Sequence, residues 1–413
     1  MQQRLRPLLV MLALLVAFGV GFVAGQHPTP AIAGTLQQGE DSDSKLARLE
    51  TIWELVHQEY YEQPIDDEAL VQGAINGMLE TLDDRHTSYM PPGEFEMLNE
   101  SFDGSYSGIG ALVEAEDGKL LIVSPFDDSP AQEAGLQPGD EIIKVNDTLV
   151  STFEDPLAAI TLVRGPAGEA VALRLRRGSE VFDVTIVRAT IPLISASGEM
   201  REDGIGYVRV SEFGDKTSIQ LRETLTKLMA ENPKGLILDL RGNPGGGLFA
   251  AIEVASEFIG DGTVMIEESG DGESETFTAQ PGGLATDPEL PLVVLVDAGS
   301  ASASEIVAGA IQDRGRGQLL GEITYGKGTV QNWRDLGSEN GGVRITIARW
   351  LTPNGSWVHE KGLIPDILIE AEPTDSEDAP DIQLESAANL LLGIPLPTAT
   401  PRGSSPWKCC PQN

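Results

Sequence analysis

From about Ile191 onward one texture repeats: a short apolar run, a glycine-rich turn, then a stretch with helical periodicity. GLILDL leads into RGNPGGG and FAAIEVASEFI, PLVVLV into DAGSASA and SEIVAGAIQD, and GQLLGE into ITYGKGTVQ. Strands that alternate with helices must bury both faces of a sheet, which predicts a parallel α/β layer. In such layers binding and chemistry gather beyond the carboxyl ends of the strands. If PLVVLV and GQLLGE are neighbours joined through SEIVAGAIQD, a right-handed crossover brings the serine-rich turn and the TYGKG turn to one edge.

The rest of the 413 residues reads as smaller pieces around that layer. Residues 8–25, LLVMLALLVAFGVGFVAG, are uncharged, apolar and long enough to cross a bilayer as a helix. Arg4 and Arg6 precede them, so the amino terminus stays in the cytoplasm and the body is exported. A cleaved signal peptide ending near Ala31-Ile32-Ala33 is the competing reading; the anchor is preferred, and either way the body is extracytoplasmic. Residues 26–44 suit a linker. Residues 45–103 carry apolar positions at helical spacing (Leu49, Trp53, Leu55, Val56, Leu70, Ile75, Met78, Leu79, Leu82) and predict a helical domain. Residues 104–190 switch to short β-rich runs punctuated by turns, as in a small, partly open barrel. Residues 191–394 form the α/β core, and 395–413 a Pro/Ser/Thr tail expected to be disordered. The fold class expected is thus multidomain α+β and α/β, with strand–turn–helix units in its largest part.

Composition excludes several functions. A formal charge of −36 without a run of Lys or Arg argues against a nucleic-acid partner. Cys409 and Cys410 are the only cysteines, adjacent and near the end, so neither a disulfide framework nor a structural zinc site is expected. No metal or cofactor is implied. Gly245-Gly246-Gly247-Leu248-Phe249-Ala250, with Glu267 further on, fits a dinucleotide fingerprint, but that reading explains neither the serine run nor Lys327.

Ser300, Ser302 and Ser304 alternate where a helix should begin, and a hydroxyl there needs a base and an oxyanion site to act as a nucleophile. His27, His57 and His86 lie in the linker and helical domain, His359 has no matching acid in an obvious pattern but stays open as a base, and no G-x-S-x-G elbow is present, which argues against a Ser-His-Asp triad. Lys327 is the other candidate base. Only about one free lysine in two or three thousand is neutral at pH 7, so this amine needs burial to serve. Its flanking glycines, Gly326 and Gly328, allow the close backbone approach that burial requires. The GNPGGG turn, stripped of side chains before a helix, suits an oxyanion. Spacing alone does not choose among the serines.

Two resemblances sharpen this. Gly108-Ile109-Gly110-Ala111 and LQPGDEIIKVN resemble a PDZ domain of the protease-associated type, whose loop would hold a carboxyl terminus while an edge strand accepts the peptide. The order of apolar segment, helices, PDZ-like region, LDLRGNPGG, GSASASEIVAGAIQD, YGKGTVQ and KGLIPDI resembles the carboxyl-terminal processing proteases of the S41 family over about residues 45–393. That resemblance implies Ser302 as nucleophile, Lys327 as general base and Gln331 as its orienting partner. It implies an oxyanion hole from Ala303 and from Gly246 or Gly247. It matches Arg164 to an arginine that links peptide binding to the active site in some relatives. The implied function is an extracytoplasmic Ser-Lys endopeptidase that takes protein substrates by their C-termini, with a possible homodimer through the helical domain. Ser300 is expected to cap the helix, Ser304 to be a polar residue of its first turn, and Asp313 to be structural. The alternative is a non-catalytic peptide-binding scaffold of the same fold.

Overall fold

The computed structural model describes residues 40–395 except 103, 117, 154–155, 338 and 371–379. The apolar run 8–25, the linker before Glu40, Cys409, Cys410 and the tail lie outside the described residues. Among the described residues no helix is long and apolar enough to cross a membrane, and no group of His, Cys, Asp and Glu could hold a metal ion. The chain divides into two compact units, residues 1–73 and 74–413.

The described part of the first unit is the helix Glu40–Glu59 and the start of a second, Asp67–Glu80. The His57 ring ties them, donating from Nδ1 to the Trp53 carbonyl (2.9 Å) and from Nε2 to the Asp67 carboxylate (2.7 Å). The apolar spacing that predicted a helix does mark one, but its apolar residues are not buried: Leu46, Leu49, Ile52 and Leu55 are 45–60% exposed.

Within the second unit, residues 111–187 form an antiparallel sheet in the order Ala111–Glu116, Lys119–Pro125, Glu141–Val145, Ala170–Arg177, Glu180–Val187. Strict alternation in AVALRLRR buries Val171, Leu173 and Leu175 against Leu120, Ile122 and Ile142 while the arginines face out. Asp140 of the LQPGD turn is buried and accepts both Nε and Nη2 of Arg177 at 2.7 Å, which anchors the turn to the neighbouring strand.

The α/β layer is a six-stranded sheet in the order Ala196–Met200, Gly206–Val210, Leu236–Asp239, Leu292–Val296, Gln318–Gly321, Ile367–Leu368; only the first pairing is antiparallel. Leu292, Val294 and Val296 pack with the helices Thr217–Ala230, Leu248–Phe258 and Ala303–Asp313 on one face, and Val293 and Leu295 pack with Ile382–Leu391 on the other. Burial on both faces is why PLVVLV is a continuous apolar run, each such side chain contributing about 1.5–3 kcal/mol. The expected crossover holds: PLVVLV and GQLLGE are parallel neighbours joined by the helix Ala303–Asp313.

A second, antiparallel sheet is built on the ten-residue strand Gly342–Leu351, which pairs with Ser88–Met90, Thr263–Ser269 and Thr329–Asp335. Ser88–Met90 lies in the stretch read as wholly helical. Three residues carry too little periodicity to announce a strand, and this one exists through its tertiary pairing.

Candidate active site

Three turns at the carboxyl ends of the parallel strands build the site. Asp297 opens the serine turn and braces it, its Oδ1 accepting from the N–H groups of Gly242 (2.8 Å) and Gly299 (2.9 Å). Ser300 is fully buried and donates its hydroxyl to the Leu240 carbonyl at 2.8 Å, so it braces the turn instead of capping the helix. Ser304, also fully buried in the first turn, donates to the Asn243 carbonyl at 2.9 Å. Ser304 thus fastens the serine turn to the GNPGGG turn and Ser300 fastens it to Leu240 just before that turn, leaving Ser302 as the serine that lines the cavity.

Ser302 sits at φ 54°, ψ −112°, a left-handed conformation that costs a serine about 1–3 kcal/mol. The turn holds it there and presents it at the amino end of the helix Ala303–Asp313. Gly245 crosses directly above it: a Cβ at Gly245 would lie 2.9 Å from the Ser302 Cβ and 2.8 Å from the Ala301 carbonyl, at a backbone φ of 103°. With Ser302 as the nucleophile that the family resemblance implies, Gly245→Ala is expected to lower kcat about 100-fold, the penalty of displacing a reacting group by about 1 Å, without loss of helical circular dichroism. A variant within threefold of the parent would show the two turns to be loosely coupled.

Lys327 comes from the third turn. A Cβ at Gly326 would meet Lys361 N at 2.9 Å and one at Gly328 the Trp357 Nε1 at 2.7 Å, so the flanking glycines do permit a close approach, here to residues 357–362. Trp350 Nε1 donates to the Lys327 carbonyl and Trp357 Nε1 to the Gly328 carbonyl, both at 2.9 Å. The amine makes no hydrogen bond to another described residue. Burial holds its pKa below the ordinary lysine value and the nearby Arg344 guanidinium lowers it further, against opposing pulls from Glu305 and Asp84.

Glu305, which the sequence reading passed over, joins the serine and lysine turns. Its buried carboxylate accepts the N–H of Ser302 (2.8 Å) and of Lys327 (2.8 Å) on Oε2, and the Gly326 N–H (2.8 Å) and Thr324 hydroxyl (2.5 Å) on Oε1. The available signal was its place three residues after Ser302, where a carboxylate reaches back to the start of a helix.

Ser302, Ala303, Lys327, Gln331 and Gly246 line one cavity of about 440 Å³, with Phe213, Trp333 and Trp350 among its apolar walls and no histidine among its lining residues. The Ala303 and Gly246 N–H groups have no partner among the described residues. Gly247 differs: its N–H donates to the Phe213 carbonyl at 2.7 Å. Gln331 Nε2 donates to Thr329 Oγ1 (2.8 Å) and Thr346 Oγ1 (3.2 Å), which fixes the amide beside the lysine turn. His359 lies behind that turn, accepting the Gly328 N–H on Nδ1 at 3.4 Å and stacking on Trp357. His86 is buried edge-on to it, and burial together with the positive charges of Lys327 and Arg85 keeps its pKa low.

A separate cavity of about 240 Å³ lies in the antiparallel region and is lined by Gly108, Ile109, Gly110, Ala111 and Arg164, all of the residues expected there. It lies by the edge strand Ala111–Glu116, paired on one side only among the described residues, and the short helix Ile160–Val163. The Arg164 guanidinium lies 4.8 Å from the Tyr106 ring centre at its rim. Asp313 accepts the Asn354 N–H at 2.8 Å, a structural bond.

Comparison with known proteins places these features. A model described as "Peptidase family S41" matches residues 204–369, a PDZ domain model matches 122–177, and a model described as "Activating protease CtpB N-terminal domain" matches 20–92. The carboxy-terminal processing protease CtpA of Bacillus subtilis (strain 168) is 40% identical over 330 residues, covering 79% of this chain and 70% of that one. CtpB of the same organism is 36% identical over 360 residues, covering 85% and 74%. Among solved structures, a photosystem II D1 C-terminal processing protease matches at 29% identity over 82% of this chain and 90% of that one, with a TM-score of 0.48. Fold and relatives together define a serine-type hydrolase carrying a PDZ domain. The chain belongs to peptidase family S41, among the carboxy-terminal processing proteases.

Proposed function

We propose that this chain is an endopeptidase with Ser302 as nucleophile and Lys327 as general base, acting on protein substrates captured by their C-termini in the PDZ groove. The observation that carries the reading is a partly buried lysine, lowered in pKa, sharing one cavity with the one serine of the run whose hydroxyl is not donated to a backbone carbonyl. Ser302 Oγ attacks the scissile carbonyl carbon as its proton passes to Lys327 Nζ. Negative charge collects on the carbonyl oxygen, where the N–H groups of Ala303 and Gly246 would receive it at the positive end of the helix Ala303–Asp313. Lys327 returns the proton to the departing amine and the C–N bond breaks. Water then attacks the acyl-enzyme, again losing its proton to Lys327, and Ser302 is regenerated. Gln331 would keep the lysine turn in register.

The groove suits an apolar tail: Leu112, Val113, Phe126, Ile142 and Ile160 line it, and the one-sided edge strand can pair with an extended peptide. We place the body outside the cytoplasm, held by the segment 8–25, on the strength of the charge and length of that segment. Full-length enzyme is expected to degrade an unfolded protein ending in an apolar tail at least tenfold faster than the same protein ending in Asp-Asp. Equal rates would overturn selection by the tail, and no cleavage of either would overturn the peptidase reading. The exposed apolar residues of the helix Glu40–Glu59 are assigned to self-association; light scattering should give twice the chain mass, and a monomer mass would refute this.

A further inference from the structure

One group in the catalytic cavity is left unused by this mechanism. Glu212 follows the strand Gly206–Val210 and lines the same cavity as Ser302 and Lys327. Its backbone is pinned on both sides, by the Ser211 N–H to the Ser195 carbonyl at 2.9 Å and by the Phe213 N–H to the Gly245 carbonyl at 3.0 Å. Its own carbonyl accepts from Thr217 Oγ1 at 3.2 Å. The side chain is therefore held at the cavity wall by a rigid segment that also packs against the GNPGGG turn.

The carboxyl itself has no hydrogen bond and no ion pair with any described residue. Buried carboxylates elsewhere in this chain are well supplied: Glu305 accepts four donors, and Asp239 accepts from Tyr207, Arg209 and Arg241. Burial alone pushes the Glu212 carboxyl up from its usual value, with no donor or cation to offset it. Arg344, the guanidinium on the same cavity, is committed to the His86 carbonyl at 2.7 Å and to the face of Trp333. A half-desolvated carboxylate without a partner costs stability, and in a substrate cleft the partner that recovers it arrives with the substrate.

Resting on the peptidase reading above, we propose that Glu212 is a specificity determinant, which favours a lysine or arginine side chain at one substrate position beside the scissile bond. A cationic terminus would supply the missing charge-assisted hydrogen bonds, in bidentate form for arginine. The chain's formal charge of −36 biases encounter in the same direction. Leu98, Phe213 and Trp333, apolar walls of the same cavity, suit the methylene stem of such a side chain.

The test uses full-length enzyme and peptides sharing one apolar tail. Lys, Met or Glu is placed in turn at each of several positions around the cleavage point, and kcat/KM is measured for every peptide. The expected result is one position at which Lys exceeds Met by about tenfold or more, the worth of a desolvated charge pair. Glu212→Gln should bring that ratio within about twofold of unity, and Glu212→Lys should invert it in favour of Glu. Each ratio is internal to one preparation, so partial misfolding cancels. In the wild type the preference should also shrink between 0.1 M and 1 M salt, as the screening length falls from about 10 Å to about 3 Å. A flat scan, a lysine preference that survives in Glu212→Gln, or one indifferent to salt overturns the proposal. Ser302-dependent cleavage with a flat scan sinks Glu212 alone, whereas failure of the wild type to cut any peptide sinks the peptidase reading with it.

Discussion

Arginine at position 327 is expected to lower kcat at least about 1,000-fold, since general-base catalysis is worth about 100- to 10,000-fold and a guanidinium gives up no proton at working pH. Ser302→Ala should be as inactive, and the double variant no worse than either, because the two groups serve one step. With the wild type, kcat/KM should rise with pH as the lysine loses its proton. The lowered pKa sets the sign: the neutral amine is the active form, so the limb must lie below the ordinary lysine value near 10.4. Stopped assays on a tailed peptide read all of these. Retention of a tenth of the activity in Lys327→Arg would remove the lysine from the mechanism.

Glu305→Ala should destabilise the protein by about 3–5 kcal/mol, because donors from both turns lose a buried acceptor at once. Glu305→Gln separates positioning from mere support. It keeps one acceptor oxygen but sets an NH2 group against backbone N–H donors, and kcat should fall about 100-fold with KM little changed. Glu305 raises the Lys327 pKa, so removing its charge should move the pH limb of kcat/KM lower. Denaturant melts together with the pH profile check this; an unmoved limb with full activity would reduce Glu305 to an ordinary capping residue.

The α/β layer was legible because its strands are buried on both faces and its turns are glycine-rich; PLVVLV and GNPGGG leave few other folds. That the serine and lysine turns share one edge was legible for the same reason, since a right-handed crossover joins their strands; which serine enters the cavity was not. The second sheet was not, because Ser88–Met90 is short and Gly342–Leu351 draws its identity from partners distant in sequence. That the Gly247 N–H is engaged by the carbonyl of Phe213 while that of Gly246 is not is something no local pattern reveals. Glu305 was hidden by an apparently helical surrounding, SEIVAGAIQD, in which a carboxylate reads as solvated. The helix Glu40–Glu59 shows the converse: its periodicity predicts the helix correctly but not what covers its apolar side.

The turns that supply Gly246, Ser302 and Lys327 follow three different strands, and the last is buttressed by Trp357 and the backbone of residues 360–362. No contiguous piece of the polypeptide holds the chemistry. A chain still emerging half-made from the ribosome carries an inert alcohol and a charged, solvated amine. On the proposed Ser-Lys reading, hydrolytic power arises only when the last strands lock into the sheet, so the order of folding itself keeps the unfinished chain harmless to its maker.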